Sequence, residues 1–354
     1  MFRFLIVLLL PIFIHASELK RWVESPPSWM WIQLKKDYAP YKDKKLSVKK
    51  IRKLYEKRAQ EWCLVEFTID DRRVSYRTKI PGDHFLHHRI VVYERLISDL
   101  AKELKLPDMT FLISMADGVD LPPGAFEGIP VFSMCKRLGD ESILIPDFEA
   151  LNGAYQVLRD NDVVQWEAPW ETKIPKLIWR GSTAQGGLVT PDNCRQLSRV
   201  RLCLLSFAKP KLIDAKFTHL AQLSEPIPYL NQFLGDWVSF EEQFQYKYHI
   251  IIDGNASAYS SSGWKFFTHS LVFKPHSTWV QWYFQELKPW LHYIPIEADL
   301  SDLVENIHWA MENDSVSQTI AHSSREFALN HITLPQNVTY LYLALSKYSK
   351  LKFN

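Results

Sequence analysis

Lys176-Leu177-Ile178-Trp179-Arg180-Gly181-Ser182-Thr183 decides the fold: an apolar run too short for a helix stops at a basic residue, a glycine and two hydroxyls. Two further segments repeat the design. His249-Ile250-Ile251-Ile252 runs into Asp253-Gly254-Asn255, and Ser270-Leu271-Val272-Phe273 runs into Lys274-Pro275-His276. Short continuous apolar runs bounded by turn residues read as strands buried on both faces. Helical patterns at 200–208 and 259–269 separate them, and strands alternating with helices imply a parallel sheet. Ligands of such sheets bind outside the carboxyl ends of the strands, so these polar tips are where an anion or a sugar is expected.

The N-terminal half also reads as α/β. Residues 47–63 place Val48, Ile51, Leu54, Tyr55 and Ala59 at helical spacing, and 64–76 alternates around Asp70-Asp71 as a hairpin does. A second helix is expected over 84–106 with Asp83 as its N-cap, followed by strands over 109–115 and 129–134. Residues 303–351 read as mostly helical with a break at Leu334-Pro335. A chain of 354 residues that is 47% hydrophobic exceeds the size at which one core stops growing, so two domains are expected. The Pro-, Trp- and charge-rich stretch 168–175 marks the junction. The organisation that follows is 18–167 for the first domain, 168–330 for the second and a C-terminal helix over 331–354.

With 42 basic and 40 acidic residues the net charge is +2, too weak a field for a nucleic-acid partner. Residues 1–17 have the parts of a signal peptide or membrane anchor: Arg3, an apolar run over 4–14 broken only by Pro11, then His15-Ala16-Ser17. The run is shorter than the roughly 20 residues of a spanning helix. Export, or association with a membrane surface through this segment, is therefore expected. The basic cluster Lys35, Lys36, Lys42, Lys44, Lys45, Lys49, Lys50, Arg52 and Lys53 argues instead for the cytoplasmic membrane face. Cys63, Cys135, Cys194 and Cys203 are scattered with no CxxC pair, a pattern of buried thiols rather than of a sulfur metal site.

Arg180, Gly181 and Ser182 suit a diphosphate, with planar charged donors, close backbone approach and a hydroxyl; the same residues also describe an ordinary surface turn. Lys265 and Lys274 are further anion candidates, with hydroxyls between Ser257 and Ser262 beside them. Asp117 and Asp120 follow the apolar Phe111-Leu112-Ile113, where a carboxylate can act as general base or simply form a turn. His84, His87 and His88 share a helix face at metal-ligand spacing but lack the acidic partner of the HExxH type, so no metal is assigned. No GxxxxGK[ST], GxSxG or GxGxxG motif occurs, which removes the usual support for ATPase, α/β-hydrolase and dehydrogenase readings.

Taken together, Ile129-Pro130-Val131-Phe132-Ser133, Trp179-Arg180-Gly181-Ser182, Leu212-Ile213-Asp214-Ala215-Lys216-Phe217-Thr218, Tyr246-Lys247-Tyr248 and the run from Leu287-Lys288-Pro289-Trp290 to Ile296 resemble glycosyltransferase family 90. The resemblance covers 111–348. It implies an α/β fold of GT-B type, two Rossmann-like domains facing a cleft with flanking helices. It further implies an inverting, metal-independent transfer of a hexose or pentose from a UDP-sugar, which is a donor substrate rather than a cofactor. Asp117 matches the family's catalytic aspartate. Arg180, Gly181 and Ser182 match its donor-contacting element, and Asp253, Gly254, Asn255, Ser257, Ser260 and Ser261 match the loop that wraps the nucleotide. Many relatives carry an arginine where this chain has Ser260-Ser261-Ser262, and Lys265 or Lys274 is the expected substitute. Three readings stay open: transfer to a surface glycan such as lipopolysaccharide, transfer to a glycoprotein acceptor in the secretory lumen, and a silent carbohydrate-binding homologue. The sequons at Asn255, Asn313 and Asn337 accord with lumenal residence.

Overall fold

The computed structural model describes residues 15–153, 167–257 and 262–352. Two compact units share the chain, 1–154 with 279–286 and 332–354 in the first, and 155–278 with 287–331 in the second. The apolar run at 4–14 lies outside the described residues, as do Ser260 and Ser261.

The first unit opens with helices Ala16–Val23, Ser28–Tyr38 and Val48–Arg58; Ser47 caps the third by accepting the Lys50 N–H. Strands β1 (Leu64–Asp70) and β2 (Arg73–Thr78) form the expected hairpin, its turn made by Asp71 and Arg72 at φ 45° and 65°. Helix His87–Glu103 starts later than its pattern suggested. Asp83 does not cap it, because His84 Nδ1 sits 3.2 Å from the Leu86 N–H and takes that donor. Strand β3 (Met109–Ser114) is buried throughout and pairs antiparallel with β1 and parallel with β4 (Val131–Ser133). Strands β5 (Lys136–Arg137) and β6 (Ile143–Leu144) follow, and the mixed sheet has the order β2-β1-β3-β4-β6. Its hairpin edge departs from an all-parallel sheet because a two-residue turn can only reverse the chain. Helix Leu334–Tyr348 closes this unit, with Pro335 tolerated in its first turn. Tyr348 packs edge-on to Phe111 and donates its hydroxyl to the Thr110 carbonyl at 2.7 Å.

The second unit holds five strands, all parallel: β7 (Ile174–Ser182), β8 (Ile213–His219), β9 (Tyr246–Ile250), β10 (Leu271–Pro275) and, after the short β11 (Trp279–Val280) of the first unit, β12 (Ile294–Ile296). Their order is β12-β10-β9-β7-β8. The chain thus builds outward from β7 to one side and then, from β9 onward, to the other. Leu177, Trp179, Tyr248, Leu271, Phe273 and Ile294 fill the core, joined by Val200, Leu202 and Cys203 of helix Ser198–Ala208. The expected helix at 259–269 is, where described, one 3-10 turn over Gly263–Phe267. All five of its residues are buried, so it has no polar face for an amphipathic helix to turn to solvent. The four cysteines are free, three of them buried.

Candidate active site

In a doubly wound sheet the crevice opens where the strand order reverses, here between the carboxyl ends of β7 and β9. Ser182 ends one strand, and Ile251-Ile252-Asp253-Gly254 leave the other. Arg199, in the first turn of helix Ser198–Ala208, bridges the two. Its guanidinium donates to the Ser182 carbonyl at 3.1 Å, the Ile252 carbonyl at 3.3 Å and the Asp253 carbonyl at 2.8 Å. Only 7% of Arg199 is exposed, and burial pulls its pKa down to about 10, the Asp253 carboxylate opposing the fall. It stays cationic at neutral pH. A Cβ at Gly254 would lie 2.7 Å from Arg199 Nη2, so a side chain there has to push the guanidinium aside.

A second buried cation lies within the field of the first. Lys265, in the turn Gly263–Phe267, has its ammonium 4.5 Å from the Trp264 ring. Burial, with the Arg199 charge adding to it, drives its pKa from 10.5 to about 7. Burial and the Arg199 charge both disfavour the ammonium, so an anion brought close to Lys265 would favour its charged form. Two side chains after β9 are held in place: the Asn255 carboxamide oxygen accepts the Gly186 N–H at 3.0 Å, and the Asp253 carboxylate accepts the Ser277 hydroxyl. Ser257 is buried in the same loop.

Arg180 is held by partners on the strands. Arg180 forks onto Asp214 with contacts of 3.0 and 3.1 Å, and gives further donors to the Trp179 and Asp214 carbonyls and to that of Asp236. Its guanidinium therefore clamps β7 to the edge strand β8. Gly181 answers a different need: the Trp179 indole folds back so closely that a Cβ would meet it at 2.5 Å. Lys274 is buried at the end of β10, one strand beyond the crevice. Arg199 escaped the sequence reading because it stands among Val200, Leu202 and Cys203 on a helix rather than at a strand tip. The available signal was a charge on the buried face of an amphipathic segment.

In the first unit Asp117 follows β3 and makes an ion pair with Arg89 of helix His87–Glu103, Oδ1 to Nη2 at 2.7 Å. Arg89 is anchored in turn by the Met115 carbonyl at 2.6 Å, which fixes where the carboxylate points. One third of the Asp117 side chain remains exposed. Asp120 instead forms a surface pair with Arg137 at 3.1 Å. The three histidines do not converge. His84 serves Leu86, His88 Nδ1 faces the Phe85 carbonyl and His87 abuts the Tyr76 ring. Among the described residues no group of three His, Cys, Asp or Glu side chains gathers as a metal site.

The model of the family described as Glycosyl transferase family 90 matches residues 23–353. Protein O-glucosyltransferase 3 of Rattus norvegicus is 28% identical over 300 residues, covering 79% of this chain and 56% of its own. Protein O-glucosyltransferase 2 of Danio rerio is 30% identical over 296 residues, covering 82% and 56%. For protein O-glucosyltransferase 1 of Bos taurus the figures are 30% over 267 residues, 71% and 64%. The chain thus spans between half and two thirds of the length of these relatives. Among solved structures, a glycosyltransferase from Rickettsia africae ESF-5 covers 76% of this chain at a TM-score of 0.35 and 9% identity, too distant to fix the fold.

Proposed function

We propose that this chain, which belongs to glycosyl transferase family 90, transfers a sugar from a nucleotide diphosphate donor to a hydroxyl acceptor with inversion. The family match along nearly the whole chain carries this reading. The crevice at the β7/β9 switch point receives the donor, its diphosphate set against Arg199 and Lys265. Lys265 then supplies the charge that many relatives draw from a loop arginine.

In the step itself Asp117 accepts the proton of the acceptor hydroxyl, and the oxygen forms a bond to the anomeric carbon. The bond from that carbon to the diphosphate oxygen breaks, and the electron pair leaves with UDP. Arg199 and Lys265 stabilise the charge that gathers there. The GT-B arrangement belongs to this proposal, since the mechanism requires Asp117 to reach the bound sugar. A protein hydroxyl is favoured over a surface glycan as acceptor, because the relatives at about 30% identity are named protein O-glucosyltransferases.

The test compares the wild type with Asp117→Asn, reading UDP binding by calorimetry and UDP release from a panel of UDP-sugars with protein and glycan acceptors. Turnover should fall by roughly a hundredfold or more while UDP affinity is kept. Undiminished turnover would remove Asp117 from the role, and a wild type that binds no UDP would remove the donor site.

A further inference from the structure

We infer that the first unit carries a docking face for an anionic lipid bilayer, made by Trp31, Ile32, Lys35 and Lys36 of helix Ser28–Tyr38 with Lys347 and Lys350 at the end of helix Leu334–Tyr348. The two helices are in contact, and the Tyr38 hydroxyl donates to the Ala344 carbonyl at 2.6 Å. That contact brings Lys35 of one helix together with Lys347 and Lys350 of the other, and Lys36 follows Lys35 on its own helix. The Lys347 ammonium lies 5.6 Å from the Tyr38 ring. Its pKa is lowered by partial burial and by the charges of Lys350 and Lys35, which places the three cations within reach of one another.

Helix Ser28–Tyr38 turns Trp29, Met30, Gln33, Leu34, Asp37 and Tyr38 inward. Outward it presents Trp31, 40% exposed, and Ile32, 62% exposed, with Lys35 and Lys36 one turn further on. Its single acidic residue, Asp37, is buried against Lys136 at 2.8 Å, and helix Leu334–Tyr348 has none. Neither helix thus offers the face an exposed carboxylate of its own, and the nearest acidic groups, Asp140 and Glu141, line a cavity on the Lys36 side.

Charge alone would suit any polyanion, but Trp31 and Ile32 would stay wet against one. An occupant that meets ammonium groups with anionic headgroups and, a few ångströms deeper, takes an indole and an aliphatic side chain is a lipid leaflet. The geometry is that of a body resting on the interface. Among the described residues no helix is long and apolar enough to cross a membrane.

The test uses the full chain in sedimentation with phosphatidylcholine vesicles made with and without phosphatidylserine, at low salt and at about 0.15 M. Wild type should prefer the anionic vesicles, more so at low salt. Replacing Lys35, Lys36, Lys347 and Lys350 by Gln should weaken that binding by roughly a thousandfold at about 1 kcal/mol per lysine and leave attachment to neutral vesicles, where any contribution of the apolar run at 4–14 registers, unchanged. Trp31→Ser with Ile32→Ser should weaken binding to both kinds, by roughly tenfold. All six positions are at the surface, and equal urea midpoints will show that the variants fold. Anionic binding that survives the four lysine changes overturns the proposal. So does binding unaffected by the Trp31 and Ile32 changes, which would mark a patch for a soluble polyanion.

Discussion

Lys265→Met tests the electrostatics of the crevice directly. In the folded chain the ammonium is buried and feels the Arg199 charge, and its pKa falls from 10.5 to about 7. At about 1.4 kcal/mol per pH unit, the charged form costs roughly 5 kcal/mol in the folded chain. Between about pH 7 and 10.5 the unfolded chain binds one more proton here than the folded chain, so stability rises with pH by about 1.4 kcal/mol per unit from this group alone. Below about pH 7 the full deficit is present. Methionine has nothing to protonate and removes that slope. Urea unfolding at about pH 7.5 and 9.5 should therefore show the wild type gaining roughly 2–3 kcal/mol more than Lys265→Met over the interval, with other titrations common to both. A bound diphosphate reverses the balance by favouring the ammonium, so UDP binding takes up a proton. Wild-type affinity should fall as pH rises above about 7, by up to tenfold per unit, while the methionine variant binds weakly with no such trend. Parallel stability curves in the two proteins would refute the buried-cation account.

Gly254→Ala brings a methyl group within 2.7 Å of Arg199 Nη2 and must displace the guanidinium from the strand ends. UDP affinity should drop by roughly tenfold, for about 1.4 kcal/mol, in calorimetry; unchanged affinity would take Arg199 out of the donor site. In the first unit Lys136→Met leaves the Asp37 carboxylate, whose side chain is 1% exposed, without its ion-pair partner. The loss should be about 3–5 kcal/mol in urea unfolding, and a loss below about 1 kcal/mol would show that the Gln33 and Leu144 N–H donors suffice for Asp37.

Sequence patterning reached the strands because burial on both faces leaves a continuous apolar run, as in Leu177-Ile178-Trp179 and Leu271-Val272-Phe273. It reached the hairpin at Asp70 to Arg73 and the break before Pro335 for equally local reasons. It misread the stretch before Leu271 because aromatic spacing alone does not separate a buried 3-10 turn from a helix. At the strand ends it named Arg180, but it could not show that Asp214, 34 residues away, holds the Arg180 guanidinium. Arg199 carried no local mark beyond a charge on an apolar helix face.

The order of residues by itself determined which segments become strands and helices and which tips are polar, since those follow from side-chain volume, branching and solvation within a few neighbours. Tertiary structure decided which strands lie side by side, and hence that β7 and β9 frame a crevice. It also decided that two cations 66 positions apart in the chain, Arg199 and Lys265, are both buried and feel each other. Electrostatic coupling depends on distance through space and on the local dielectric, and both exist only once the sheet has formed.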